Sequence, residues 1–153
     1  MKSEWIRSQS VCTYSLSAQE LYDIVKNIKD FHRFVPYYLK NKIRLTGKNW
    51  LLKEMQIKAG GTRYTTQSVI VFYPTRLSFE GLQLEGPYPG MQWHLKVVPI
   101  TNKKSRIISS HDIPLGTNQN YSLLKINNLK KRLKDIEQSF LTSIYKKIEG
   151  GAP

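Results

Sequence analysis

Residues Tyr121 to Glu149 form the longest uninterrupted periodic stretch in the chain. Ile126, Leu129, Leu133, Ile136, Phe140, Ile144 and Ile148 recur at spacings of three and four, on one stripe of an α-helix. No Pro or Gly falls inside the run, and Gly150, Gly151 and Pro153 follow it as a helix stop. Such a helix is about 40 Å long at 1.5 Å per residue. A chain of 153 residues cannot enclose that length. The helix must lie across an apolar surface that the rest of the chain supplies. Part of the stripe fits a heptad, but the fit fades at Ser143, short of the several heptads a coiled coil needs. The helix is therefore expected to pack on a sheet. By helix angle, Asp135 and Glu137 are expected to face solvent.

The middle of the chain supplies that sheet. Trp5 to Tyr14 alternates loosely and is rich in β-formers, so a first strand is expected there. Ser17, with Glu20 three residues on, has capping-box spacing, with Leu16 placed to staple onto Leu21. Leu21, Tyr22, Ile24, Val25 and Ile28 then make an amphipathic helix. Asp30 is a candidate cap for a second short helix, Phe31 to Val35, ending at Pro36. From Lys42 to Ile113 the period becomes two. Strands are expected around Ile43 and Leu45, over Trp50 to Lys58, over Thr62 to Phe72, and through Leu77 and Phe79. Two more follow, from Met91 to Val97 and from Ser105 to Ile113. Gly60 and Gly61 read as a hairpin turn. Together with Gly81 they are candidate bend or bulge positions. The loop from Pro114 to Asn120 feeds the long helix. Consecutive antiparallel strands with the helices set apart define an α+β domain. Nothing in 153 residues suggests a second domain, an internal repeat or a linker.

Charge narrows the partners. Lys and Arg number 24 against 11 acidic residues, a formal charge of +13. Such a surface suits a polyanion such as ribosomal RNA or an anionic membrane, or serves solubility alone. Lys130, Lys131, Arg132 and Lys134 on the outer face of the long helix are the candidate polyanion contacts. No helix-turn-helix or zinc-finger pattern is present, so sequence-specific DNA binding is not expected. Cys12 is the single cysteine. It is expected to be a small buried residue, and it excludes an intrachain disulfide. MKSEWIRSQS carries no apolar signal region and no window reaches membrane-span length, so a cytoplasmic protein is expected.

Two stretches resemble a known family. SLSAQELYDIVKNIKDFHRFVPYY, Ser15 to Tyr38, is similar to the opening of START-like (SRPBCC, helix-grip) proteins. There a strand and a capped helix lead into an aromatic turn, here Asp30, Phe31, Phe34 and Pro36. GPYPGMQWHLKVVP, Gly86 to Pro99, matches a Gly-Pro-aromatic loop before a strand carrying Trp93. The pairing is most similar to the coenzyme Q-binding and polyketide cyclase/dehydrase-like branch, which includes ribosome-association toxin-like proteins. The resemblance implies a helix-grip fold, with a curved sheet of about seven strands around the C-terminal helix. It also implies a cavity between them that holds an apolar molecule such as a lipid, quinone or polyketide. It does not imply one reaction.

Period-two positions and the helix stripe name the expected ligand contacts. They are Phe31, Phe34 and Tyr37 from the aromatic turn; Met55, Ile57, Tyr64, Ile70, Phe72, Phe79, Met91, Trp93 and Leu95 from the strands; and Leu133, Ile136 and Phe140 from the helix. Leu77 and Ile108 are expected to face inward with them. Tyr64, Thr66 and Ser68 add hydroxyls to that face, and buried hydroxyls need partners. A ligand-sized cavity of several hundred Å3 would supply them; a dry core is the alternative. No catalytic set is evident. Gly-x-Ser-x-Gly, phosphate-loop and dinucleotide fingerprints are absent. His32, His94 and His111 show no metal-ligand spacing. His94 is expected to be exposed opposite Trp93, His111 to lie near a strand end, and His32 to border a pocket mouth. No cofactor or metal is implied. The primary expectation is a non-catalytic binder of a hydrophobic small molecule. A cyclase/dehydratase-like or hydrolase activity is the alternative, and Tyr64, Tyr37 and Asp112 are its candidate groups.

Overall fold

Seven strands form one antiparallel sheet in the order β1-β7-β6-β5-β4-β3-β2. The computed structural model describes residues 5–59, 61–115 and 122–149. β1 (Trp5–Tyr14) is followed by α1 (Ala18–Val25) and a 3-10 turn over Ile28–Arg33. β2 (Tyr38–Gly47), β3 (Trp50–Ala59), β4 (Thr62–Tyr73), β5 (Ser78–Glu85), β6 (Gln92–Thr101) and β7 (Lys104–Pro114) then run as a meander. β7 returns beside β1, which pairs with it from Trp5↔Pro114 to Tyr14↔Ser105. The chain closes with α2 (Leu123–Glu149). This is the α+β arrangement expected, with the long helix against the sheet. Tyr121, Gly60, the 116–120 part of the connecting loop, and Gly150, Gly151 and Pro153 lie outside the described residues.

Local chemistry explains the first helix. Ser17 Oγ accepts from the Glu20 N–H at 3.2 Å, which satisfies one of the unpaired donors of the first turn. Leu21, Tyr22 and Val25 are buried against the sheet. The second helix differs from the expectation. It is a 3-10 turn that begins at Ile28 and ends at Arg33, before Val35. Asp30 does not cap it; it lies inside, its carboxylate 3.7 Å from Arg33. The sequence places Phe31 and Val35 four apart, and both are drawn into the core, at 0% and 1% exposure. That burial overrides the local capping signal.

The sheet's inner face carries the core. Phe31 packs edge-on against Phe34, Tyr38, Trp93 and Phe140, with ring centroids 5.2–6.3 Å apart. Trp93 meets Phe79 at 5.1 Å and Phe140 at 5.4 Å. Such edge-to-face pairs add to burial energy. Phe140 therefore locks α2 to the aromatic turn and to β6 at once. Gly81 is not a bulge. It pairs in register with Ile70 and Trp93, and a Cβ there would meet Ile70 Cδ1 at 2.9 Å. The bulges fall elsewhere, between Tyr38 and Lys40, Ile43 and Leu45, Gln67 and Ser68, and Pro99 and Thr101. In β7 the inward residues are Ser105, Ile107, Ser109, His111 and Ile113. Ile108 faces the other way, one step from the expected register, and Ile107 takes the core position.

α2 departs from its expected pattern at one residue. Leu129, Leu133, Phe140 and Ile144 are buried as expected, and so is Glu137, at 1%. Glu137 lies four residues after Leu133 and three before Phe140, squarely on the apolar stripe. The helix-angle expectation that it faces solvent is therefore corrected: its angle places it with Leu133 and Phe140. Asp135 is exposed. No helix among the described residues is long and apolar enough to cross a membrane.

Candidate functional site

A cavity of about 100 Å3 lies between the sheet and α2. Tyr37 and Tyr38 reach it from the start of β2, and Lys53, Met55 and Ile57 from β3. Tyr64, Ser68 and Ile70 of β4 continue the wall, with Gly81 and Gln83 of β5 and Trp93 of β6. Ser109 and His111 come from β7, and Leu129, Arg132, Leu133, Ile136, Glu137 and Phe140 from α2. The loop between β5 and β6 adds Pro87, Tyr88 and Met91. Of these, Tyr37, Met55, Ile57, Tyr64, Pro87, Tyr88, Met91 and Ile136 are partly exposed and Arg132 is exposed, and the mouth lies on the side of Arg132 and the β5–β6 loop.

Ten of the expected contacts therefore line the cavity: Tyr37, Met55, Ile57, Tyr64, Ile70, Met91, Trp93, Leu133, Ile136 and Phe140. Five do not. Phe31, Phe34, Phe72, Phe79 and Leu95 form the packed layer beyond it. They share the inward face but belong to the end of the sheet that α1 and the aromatic turn already fill. The cavity is smaller than the several hundred Å3 expected, and the bulky side chains of Tyr38, Lys53, Trp93 and Phe140 are part of its wall.

The mouth loop is held by Gln83, through both its side chain and its backbone. Gln83 Oε1 accepts from the Tyr88 N–H at 2.8 Å, and the Gln83 carbonyl accepts from the Gly90 N–H at 2.8 Å. Gly86 has φ +138°, and a Cβ there would sit 3.0 Å from both Gln83 Oε1 and Thr66 Cγ2. Only glycine suits that position. The Gly-Pro-aromatic motif is thus a turn that sets Pro87 and Tyr88 over the cavity.

Two polar groups face the apolar interior. The first is Glu137. His111 Nδ1 lies 2.8 Å from its Oε2, and the Ser8 and Ser10 hydroxyls donate to Oε1 at 2.7 and 3.1 Å. A carboxylate only accepts, so Nδ1–H is the donor to Oε2. Trp93 stacks on the imidazole at 6.0 Å and 8°, and its indole N–H donates to Ser109 Oγ at 2.9 Å. The second group is Lys53, 1% exposed. Its ammonium lies 3.5 Å from Met55 Sδ, and 5.3 and 5.9 Å from the ring centres of Tyr38 and Trp93. Burial brings its pKa down to about 7. Burial also raises the phenols of Tyr37 and Tyr38, and for Tyr37 the neighbouring Tyr38 and Glu137 act in the same direction.

The remaining candidates are placed as follows. Asp112 points to the opposite face of β7, 3.6 Å from Arg7 and 3.8 Å from His94, away from the cavity. Strand alternation puts His111 in and Asp112 out. His111 lies near the end of β7, as expected, and is buried and bonded there. His94 is partly exposed on the outer face, with Nδ1 3.5 Å from Glu80. His32 is exposed and does not reach the mouth. Cys12 is partly buried at the core's edge. Lys130 and Lys131 are exposed on α2, Lys134 donates to the Gln9 carbonyl, and Arg132 borders the cavity. Sequence reasoning missed Lys53, His111 and Glu137 together. The signal for Lys53 was period two, since it stands between Leu51 and Met55 on the inward side; for Glu137 it was the helix stripe.

Comparison with solved structures places this architecture. The aromatase/cyclase Zhui from Streptomyces sp. R1128 superposes with a TM-score of 0.84 at 13% identity, covering 98% of this chain and 100% of that one. A START superfamily protein from Mycobacterium smegmatis gives 0.79 at 11%, over 94% and 97%. The fold is the START-like helix grip. The di-domain aromatase/cyclase StfQ of the steffimycin pathway gives 0.81 at 15% identity, covering 95% of this chain and 52% of that one. The likeness to these proteins is one of fold, at 11–15% sequence identity. No protein-family model matches the sequence, and no curated protein sequence matches it.

Proposed function

We propose that this protein binds a small hydrophobic molecule, aromatic or polyketide-like, in the cavity between the sheet and α2. The observation that carries the reading is the cavity itself. Its walls are mainly aliphatic and aromatic, with Lys53, the Glu137–His111 pair, Ser68, Gln83 and Ser109 as the buried polar groups among them. Sites of this make-up bury an apolar ligand and orient it with a few polar groups. Aromatase/cyclases among the structures of the same fold support the choice of ligand class. An engineered apolar cavity of about 150 Å3 takes benzene. A cavity of about 100 Å3 is smaller than that, so a ring-bearing ligand requires side chains at the mouth such as Tyr88 and Arg132 to move aside, and a polycyclic one more so. The test is native mass spectrometry of protein purified from its host, with extraction of whatever co-purifies. Recovery of a stoichiometric apolar compound supports the reading. Protein that emerges empty and ignores a panel of aromatic and lipid probes rejects it.

A second reading has its own observation. The Glu137–His111 pair lines the same cavity as Lys53, and a carboxylate–imidazole pair suits acid–base chemistry of a cyclase/dehydratase kind. Turnover of an aromatic polyketide-like substrate, lost on His111→Ala while binding persists, favours this enzyme. Unaltered turnover in His111→Ala rejects a role for that pair.

A further inference from the structure

We propose that Lys53 is a carbonyl-capture residue, its ε-amine condensing with an aldehyde or ketone of the cavity's ligand to form an imine. The inference rests on the cavity being the ligand site, as read above. Lys53 stands in the middle of β3, 1% exposed, and lines the cavity, with its amine 5.3 and 5.9 Å from the ring centres of Tyr38 and Trp93 on the same wall. Among the described residues it pairs with no carboxylate, and its one polar contact is a thioether. The other charged or titratable groups on the wall are Tyr37, Tyr38, Tyr64, Tyr88, His111, Arg132 and Glu137. Glu137 is already engaged by Ser8, Ser10 and His111, so it does not balance an ammonium on β3. The ring faces of Tyr38 and Trp93, 5.3 and 5.9 Å away, attract a cation only weakly at that range.

An ammonium buried without an anion is strongly disfavoured, and the group responds by releasing its proton. Its pKa of about 7 leaves much of the amine neutral in neutral solution. An exposed lysine, with a pKa of about 10.4, is neutral to roughly one part in a thousand at pH 7.5. A desolvated neutral lysine is the form that attacks carbonyl carbon.

The step balances without an oxidant or reductant. The Nζ lone pair adds to the carbonyl carbon, and the carbonyl π pair moves to oxygen. The carbinolamine then forms the C=N bond as its C–O bond breaks, and the two N–H protons leave with that oxygen as water. His111 borders the same cavity and is the acid–base group at hand for the departing hydroxyl.

The test uses the full chain, benzaldehyde as carbonyl probe and cyanoborohydride at pH 7.5 to trap any imine as a benzylamine. Intact mass and peptide mapping read the result. One benzyl group per chain is expected on Lys53, at least tenfold faster than on any other lysine. Lys53→Met and Lys53→Arg, the latter keeping the charge, both lose the fast label. Labelling spread over surface lysines with Lys53 not ahead overturns the proposal. Benzyl alcohol, which has no carbonyl, is followed in parallel through the methyl signals of Met55 and Met91. If the alcohol shifts those signals while Lys53 stays unlabelled, imine capture is wrong and cavity binding stands. If the alcohol moves nothing, the cavity reading fails and imine capture falls with it.

Discussion

Glu137 on α2 and His111 on β7 meet at 2.8 Å inside the molecule, with Ser8 and Ser10 of β1 closing on the same carboxylate. One buried side chain thereby ties the long helix to two neighbouring strands. A buried carboxylate with three donors is well satisfied, and losing it strands all three. Glu137→Ala is expected to cost about 3 kcal/mol in urea denaturation, since hydrogen bonds to charged groups contribute about 1.5–3 kcal/mol. Glu137→Gln keeps an acceptor for the serines and is expected to lose less than half as much. A loss under about 1 kcal/mol for Glu137→Ala contradicts a structural role for the network.

Lys53 makes stability depend on pH in a particular direction. Its folded pKa of about 7 lies below the ordinary 10.5, so between those values the unfolded chain binds more protons than the folded one. Stability therefore rises with pH through that window, and below pH 7 the full cost of the buried ammonium remains. The rise due to Lys53 is expected to be about 3 kcal/mol between pH 7 and 9.5. Lys53→Met should remove the rise and raise stability at pH 6. Parallel pH profiles for the two proteins would exclude the buried, neutral amine.

Phe140 joins three parts of the core, with rings of Phe31 and Trp93 at 5.2 and 5.4 Å. Phe140→Ala is expected to cost about 3–5 kcal/mol. Chemical denaturation checks it, and a loss under about 1 kcal/mol would mean that α2 does not pack here.

Gly86 bears on the cavity mouth. Gly86→Ala meets both an unfavourable φ and contacts at 3.0 Å, so the loop must shift off Gln83. A stability loss of about 1–2 kcal/mol is expected. Slower or weaker entry of an aromatic probe should accompany it, read by stopped-flow fluorescence. Normal binding kinetics would show that Pro87 and Tyr88 do not govern entry.

The sequence by itself determined the periodic framework. Trp5–Tyr14 alternates and forms a strand, Ser17 caps α1, and the stripe from Leu129 to Ile144 packs on the sheet. These are local patterns, set by backbone period and hydrogen-bond capping, and they read directly. What faces inward at a single polar position was decided by tertiary structure. Lys53 follows the inward period of β3, yet only the neighbouring Tyr38, Met55 and Trp93 show how an amine is housed there. Glu137 lies on the helix stripe, yet its burial requires Ser8, Ser10 and His111, which the chain brings from as far as 129 positions away. A charged side chain is buried only when distant partners or a displaced proton offset its lost hydration. Those partners exist only once β1, β7 and α2 have come together.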